Sequence, residues 1–112
     1  MTDNSDKQHV LDFREAINMT ARQISEWLDT EDSKRVGSKE EDASESVGHR
    51  SGKKIVKILG KKSPDYTEAD FKHMAKVAAY VKRHLAQRPT GDVSETNWRY
   101  SLMNWGHDPM KK

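Results

Sequence analysis

Residues 67–87 read TEADFKHMAKVAAYVKRHLAQ, and this pattern predicts one helix of about six turns. Side chains that recur at spacings of three and four lie on one face of a helix. One apolar face carries Phe71, Met74, Ala78, Val81 and Leu85, and a second face carries His73, Val77, Tyr80 and His84. A helix with two such faces lies partly inside a core. We therefore predict that it is the central helix of a single small all-α domain, with its polar and basic face in water.

The composition points to one small, heavily solvated domain. The chain has 112 residues, which is enough for one domain and too few for two. Hydrophobic residues make up 33% of it and charged residues 34%, so we expect a small core. The absence of cysteine excludes disulfides and thiolate chemistry and is compatible with a cytoplasmic location. No apolar run approaches the roughly 20 residues that span a bilayer, so we expect no membrane partner.

The net charge of +2 conceals an uneven distribution of charge along the chain. Residues 1–49 contain twelve acidic and six basic side chains, a balance of −6. Residues 50–112 contain six acidic and fourteen basic side chains, a balance of +8. Such asymmetry indicates either a polyanion partner or an acidic segment that shields a basic surface. The simpler interpretation is that charge keeps a small protein soluble.

Three short motifs predict where helices begin. Each combines a capping box with apolar residues placed to form a hydrophobic staple. The capping pairs are Thr20 with Gln23, Thr67 with Asp70, and Ser94 with Asn97. With a short first helix near residues 10–17 and another at 51–60, these motifs predict about five helices. In the last one, at about residues 95–105, Trp98 and Trp105 share a face, and we expect both to be buried against the central helix near Val81 and Leu85.

Two segments carry few apolar side chains. Residues 1–7 are predicted to be a disordered N-terminus, and residues 31–49 a mobile acidic loop within the helical domain of residues 8–110. Residues 38–46 are strongly acidic and lie just upstream of a lysine-rich segment, so as a tether they would compete with phosphate for a basic surface. The simpler interpretation of the loop is a passive solvated connection.

Residues 51–60, SGKKIVKILG, predict a helix that begins at Ser51, ends at Gly60 and presents a ridge of lysines. At about 100° per residue, its lysines and Lys61 fall within an arc of about a quarter turn, with no acidic residue among them. Lysine runs are often solvated faces, but a neutralised face would contain Glu–Lys pairs four residues apart. We therefore predict phosphate binding by this ridge and its surroundings. The candidate nucleic-acid-binding residues are Arg50, Lys53, Lys54, Lys57, Lys61, Lys62, Lys72, Lys76, Arg83 and Arg88.

The sequence offers little that would support catalysis. The segment GHRSGKK differs from a phosphate-binding loop in its glycine spacing, in the residue after its lysine and in having no strand before it. His73 and His84 are three turns apart on one helix, roughly 16 Å, too far to share a metal ion, so we expect them to pack or to hydrogen-bond locally. Nothing pairs a nucleophile with a base and an orienting group. We therefore predict no catalytic site, no metal and no cofactor, and a protein that is not an enzyme.

Four segments carry a resemblance to a known family. RHLAQRP at residues 83–89 and NWRYSLMNWGHDP at residues 97–109 resemble domain-of-unknown-function family 3140, as do MTARQISEWLDT and GHRSGKKIVKIL earlier in the chain. The resemblance covers most of residues 10–110. Members of this family are small proteins that are often described as DNA-binding. The resemblance therefore implies DNA binding, but it supplies no mechanism and no catalytic residue.

From these patterns we expect a protein that binds nucleic acid, DNA rather than RNA, through phosphate contacts from a basic helix and with little sequence specificity. Helices 51–60 and 67–87 match a helix-turn-helix poorly, because their connection and the second helix are too long. The lysine ridge would join Lys72, Lys76 and Arg83 in one surface only if the two helices align their polar edges. The alternative is a protein-interaction module whose basic face binds an acidic protein partner or a second copy of the chain.

Overall fold

The computed structural model describes residues 4–36 and 46–111. In those residues the chain forms six α-helices: α1 (Asn4–Ala16), α2 (Ala21–Leu28), α3 (Glu31–Arg35), α4 (Val47–Leu59), α5 (Glu68–Leu85) and α6 (Asn97–Asn104). A short 3-10 turn at Ser63–Asp65 connects α4 to α5. The described part of the chain contains no strand, which confirms the predicted all-α class. None of the helices in these ranges combines the length and apolar character needed to cross a membrane.

The helix predicted from residues 67–87 is α5, and it packs against α1, α4 and α6. Met74, Val77 and Val81 of α5 are buried in the core, which confirms its central position. The core is completed by buried side chains from the other helices: Phe13, Ile24, Leu28, Ile55, Ile58, Trp98, Leu102 and Trp105. The predicted burial of both tryptophans is therefore confirmed. The predicted apolar face of α5 is not buried to its end, because Leu85 is 37% exposed.

Two of the three predicted helix starts are confirmed. Thr20 and Thr67 each cap a helix through a complete capping box, with Gln23 and Asp70 as the respective third residues. The third start is wrong by two residues, because Thr96 rather than Ser94 caps α6. The backbone N–H of Ser94 is already bonded to the Asp92 carboxylate at 2.9 Å, in a turn that precedes the helix.

Helix α4 begins earlier than the sequence predicts. Its N-cap is Ser46, which accepts a hydrogen bond from the His49 backbone, whereas Ser51 lies inside the helix. Gly48 and Gly52 lie in the first turns of α4, and because glycine has a low helix propensity, the sequence pattern does not indicate this earlier start. Both serve close packing here. A Cβ at Gly52 would lie 2.7 Å from the backbone oxygen of Asn104, so only glycine allows α4 to approach α6 at this point.

The two segments predicted to be irregular are partly helical. Residues 4–7 belong to α1, and residues 1–3 lie outside the described ranges. The predicted loop is helical at both ends, in α3 and in the first turn of α4. Helix α3 forms because Thr30 caps it and Ser33 is buried against α6, features that its polar composition hides. Residues 37–45 lie outside the described part of the chain, so the competing acidic tether at residues 38–46 stays a prediction. Its last residue, Ser46, is the N-cap of α4.

Candidate nucleic-acid interface

Helices α4 and α5 enclose a groove lined by lysines from both. The Ser51 hydroxyl, in the second turn of α4, is 2.9 Å from His73 Nε2 in the second turn of α5, and Lys61, just after α4, reaches Asp70 in the first turn of α5. The groove between them has a volume of about 440 Å³. We call it the lysine groove, and its lysines are Lys54, Lys57, Lys61, Lys72 and Lys76. The two helices therefore align their polar edges at Lys72 and Lys76, as the predicted surface requires, but Arg83 does not line the groove.

Burial and neighbouring charge keep a histidine in this groove uncharged at neutral pH. Partial burial is the main cause that lowers the pKa of His73, and the positive charges of Lys54 and Lys76 lower it further. The influence of lysines from both helices on one imidazole reflects how closely they converge. His73 was expected to pack or hydrogen-bond locally, and its contact with Ser51 confirms that expectation.

One lysine of the groove is already paired. Lys61 Nζ donates to Asp70 Oδ2 at 2.7 Å, and the Asp70 side chain is only 14% exposed. Burial raises the pKa of the Asp70 carboxyl, but hydrogen bonds from Lys61 and Thr67 outweigh it and lower that pKa overall. The sequence prediction treated Lys61 as an unneutralised cation because its partner lies nine residues away. That part of the prediction is wrong, and the groove presents less positive charge at this end.

The other predicted binding residues divide between the groove and its surroundings. Lys72 lines the groove and also lies 3.8 Å from Glu68, but both side chains are largely exposed and such pairs contribute little. Arg50, Lys53 and Lys62 are not part of the groove lining. Arg83 lies further along α5, beside a second cavity, and the Arg88 guanidinium lies 5.4 Å above the Trp98 ring. The predicted set is therefore only partly brought together.

Beyond the groove, rings from α5 and α6 stack into one column, which we call the aromatic column. In order along it, the ring centroids are 6.2 Å apart from His73 to Trp105, 4.1 Å from Trp105 to Tyr80, 4.9 Å from Tyr80 to His84 and 6.3 Å from His84 to Trp98. All four pairs are within 20° of parallel. Trp98 Nε1 also donates to the His84 backbone oxygen at 2.7 Å. The sequence located these rings on the correct helix faces but did not predict that they stack.

A second cavity lies along the aromatic column. We call it the aromatic cavity; its volume is about 400 Å³, and its lining includes Lys76, Tyr80, Arg83, His84, Ser101 and Trp105. Lys76 lines the lysine groove as well, so the two depressions adjoin. Sequence reasoning missed this cavity, because its walls come from helices whose relative placement no local pattern reveals.

Burial keeps the rings of the cavity in their neutral forms. It raises the pKa of Tyr80, partly offset by a hydrogen bond with Ser101. It lowers the pKa of His84, and the charge of Arg83 lowers it further. Among the side chains that the structure describes, His84 Nε2 is buried without a hydrogen-bond partner, which an unprotonated nitrogen tolerates better than a charged one.

The chemistry available at this surface is that of a cationic groove beside an aromatic cavity. Within residues 4–36 and 46–111, no group of three or more His, Asp or Glu side chains is placed to hold a metal ion. Four of the groove lysines have no close carboxylate among the described residues, or only the weak contact to Glu68. Clustered lysine ammonium groups are suited to contacts with anions, and their charge acts on anions over long range.

Comparison with known proteins identifies the family but assigns no role. A family model described as "Protein of unknown function (DUF3140)" matches residues 12–103. Because this match covers most of the chain, the protein belongs to that family, and the resemblance seen in the sequence is confirmed. No curated protein and no solved structure matches the chain.

Proposed function

We propose that this member of the DUF3140 family binds nucleic acid, DNA rather than RNA, through phosphates held in the lysine groove. The observation that carries the proposal is the convergence on one groove of about 440 Å³ of four lysines from two helices, with Lys61 just after the end of α4. Duplex DNA carries one negative charge per roughly 1.7 Å of its axis, so several lysines on one surface meet several phosphates. The positive balance of residues 50–112 supports the same partner.

Low sequence specificity follows from the residue types in the groove. Base recognition in a duplex depends on paired hydrogen bonds to base edges, which the planar side chains of Arg, Asn and Gln make in a fixed geometry; Lys also contacts guanine, but its ammonium group is a flexible point charge. The groove instead presents lysine ammonium groups, with Asp70 and His73 between them. Lysines contact phosphates as point charges, and these contacts fix position without reading sequence.

A second candidate function is a protein-interaction module. It is favoured by the acidic balance of residues 1–49, because that half of a second copy, or an acidic protein partner, complements the same groove. Both functions use the same lysines, so variants of the groove alone do not separate them. The two functions are separated by the choice of ligand.

The test compares ligands of similar charge by fluorescence anisotropy, using duplex DNA, RNA and polyglutamate at two salt concentrations. About four phosphate contacts predict a roughly 100-fold loss of affinity for duplex DNA between 50 and 200 mM salt. Duplex DNA should bind more tightly than double-stranded RNA of the same length and much more tightly than polyglutamate. Tight binding of polyglutamate, or self-association, without DNA binding would favour the interaction module instead.

A further inference from the structure

The aromatic cavity continues the lysine groove, but its lining suits a different part of a ligand. Lys76 lines both, so a nucleic-acid backbone held on the groove passes the mouth of the cavity. Lysines alone suffice to hold phosphates, whereas the cavity adds Tyr80, His84 and Trp105 to its cations. An aromatic wall next to a cationic groove is the combination that proteins use to bind single-stranded nucleic acid.

The rings that line the cavity are already stacked on one another. Tyr80 has Trp105 stacked at 4.1 Å and His84 at 4.9 Å, so its ring is already engaged by two others, and the edges of such stacked rings remain for a ligand. Ring edges carry partial positive charge and attract the face of another aromatic ring in an edge-to-face arrangement. A planar base placed against these edges would make such contacts. Ser101, which hydrogen-bonds Tyr80, offers a hydroxyl that can both donate and accept.

The dimensions of the cavity fit one base and its sugar. Its volume of about 400 Å³ lies within the roughly 300–1,000 Å³ typical of small-molecule sites. Arg83 at its lining supplies a second cation beyond Lys76, so phosphates on either side of an inserted nucleotide both have a partner. A single phosphate ion would leave the aromatic wall without a role.

We propose that the aromatic cavity receives the base of an unpaired nucleotide whose neighbouring phosphates lie on the lysine groove; this inference rests on the proposed function. Bases in a duplex are paired and stacked, and extruding one costs free energy, whereas a single strand presents its bases directly. The protein therefore prefers single-stranded over duplex nucleic acid that carries the same number of phosphates.

The test on the wild-type protein uses two single-stranded probes that differ only in their bases. One is an oligothymidylate of about twelve nucleotides, and the other is an abasic oligomer of the same length and charge. The contribution of the phosphates is the same for both probes. Oligothymidylate should bind about tenfold more tightly, the upper end of what an edge-to-face contact between one base and an aromatic ring provides.

A cavity-filling variant tests whether the preference for oligothymidylate arises in the aromatic cavity. Ser101→Leu places a branched apolar side chain in the aromatic cavity without changing charge, while the exposed Ser25 of α2 provides the same substitution away from the site. Ser101→Leu should lower the affinity for oligothymidylate about tenfold, to that of the abasic probe, and leave abasic binding and its salt dependence unchanged. Ser25→Leu should change neither affinity.

The outcomes separate this inference from the proposed function. Equal, salt-sensitive binding of both probes to the wild type overturns the base site and leaves phosphate binding intact. A folded Ser101→Leu variant that keeps the full preference for oligothymidylate also overturns it. If neither probe binds, the base site is overturned, and the duplex DNA measurement decides separately whether the proposed function fails as well. Circular dichroism checks that the variant folds, and if it does not, the comparison of the two probes on the wild type still decides.

Discussion

Gly106 shows how a single residue determines where the C-terminal segment goes. It follows α6 at φ +84°, and the backbone bonds from Gly106 to Met103 and from His107 to Leu102 form a Schellman motif. Its own carbonyl then accepts hydrogen bonds from the backbone N–H groups of Asn18 and Met19, between α1 and α2. A glycine just after a helix is a typical C-terminal cap, but the bonds to residues nearly 90 positions away are beyond any local pattern.

Replacing Gly106 should therefore be more damaging than replacing the other glycine with positive φ. A Cβ at Gly106 would lie 2.4 Å from Ile17 Cδ1, whereas a Cβ at Gly91, φ +85°, meets no described atom within 4 Å. Gly91→Ala should cost about 1–2 kcal/mol for backbone strain alone. Gly106→Ala should cost about 1–3 kcal/mol more, because Ile17 must move. Urea denaturation measures both, and equal losses would mean that the contact with Ile17 is unimportant.

Asn104 is the residue whose role was least evident from the sequence. Its side chain is fully buried, its Oδ1 accepts from Trp27 Nε1 at 2.8 Å and from Ser33, and its Nδ2 donates to the Ser33 backbone oxygen at 3.0 Å. It thereby joins α2, α3 and α6. A polar residue near a helix end gives no sign of such a network, because its partners lie 71 and 77 positions away.

Removing the Asn104 amide should leave buried donors and acceptors unsatisfied. Asn104→Ala should lower the free energy of unfolding by about 3 kcal/mol, since each unpaired buried group costs about 1–3 kcal/mol. The matched control is Asn97→Ala, which removes an exposed side chain bonded to Arg35 and should cost less than about 0.5 kcal/mol. Similar losses in the two variants, measured by urea denaturation, would contradict the assigned network.

At the scale of elements, patterns with local causes were predicted and packing was not. The periodicity of α5 and the capping boxes at Thr20 and Thr67 depend on neighbouring residues, and the structure confirms them. The starts of α4 and α6 and the existence of α3 depend on contacts between helices. Gly52, for example, reads as a helix breaker until α6 is placed against it.

The aromatic column joins α6 to α5, and Trp98 tests how much stability it provides. Trp98 is 8% exposed and contacts both the His84 ring and its backbone oxygen. Trp98→Ala should cost about 3–5 kcal/mol, the usual loss for a buried large aromatic side chain. Leu11→Ala, at a position that is 60% exposed, serves as the control and should change little. A Trp98→Ala variant that melts within a few degrees of wild type would contradict its place in the core.

For the whole molecule, the sequence predicted that a basic surface exists but not its shape. Helical spacing puts Lys54 with Lys57 on a face of α4 and Lys72 with Lys76 on a face of α5, and the structure brings the four lysines into one groove. Helical spacing also groups Lys61 with the lysines of α4, but it gave no indication of the pairing with Asp70. The aromatic cavity was not predicted, since it exists only once α4, α5 and α6 are assembled.

The stability of the molecule should fall as the pH is lowered from 7 to 5. Burial lowers the pKa of His73 and of His84 below the unfolded value of about 6.5, and nearby Lys54 and Arg83 lower them further. The unfolded chain then binds protons more readily, so stability present above about pH 6.5 is lost as the pH falls towards the folded pKa values. The pKa values of the Asp70 and Asp108 carboxyls are also lowered, and they affect stability only at more acidic pH.

Melting temperatures at pH 7, 6 and 5 test this assignment. The wild type should lose stability steadily, and a His73→Gln, His84→Gln double variant should show a weaker dependence on pH, even if it is less stable throughout. The relevant quantity is the change with pH, which a loss of packing alone does not alter. An unchanged pH dependence in the double variant would place the titrating groups elsewhere.

The salt dependence of duplex DNA binding tests most directly whether the lysine groove binds phosphates. The wild type is compared with a groove variant, Lys54→Gln, Lys57→Gln, Lys72→Gln and Lys76→Gln, and with a control of equal charge at exposed sites outside the groove, Lys7→Gln, Lys34→Gln, Lys82→Gln and Lys111→Gln. Plots of log affinity against log salt should have slopes near −4 for the wild type and the control, at about −0.9 per contact. The groove variant should be nearly flat and should bind weakly to all sequences. A folded groove variant with wild-type affinity and slope, or equal losses in both variants, would contradict the account.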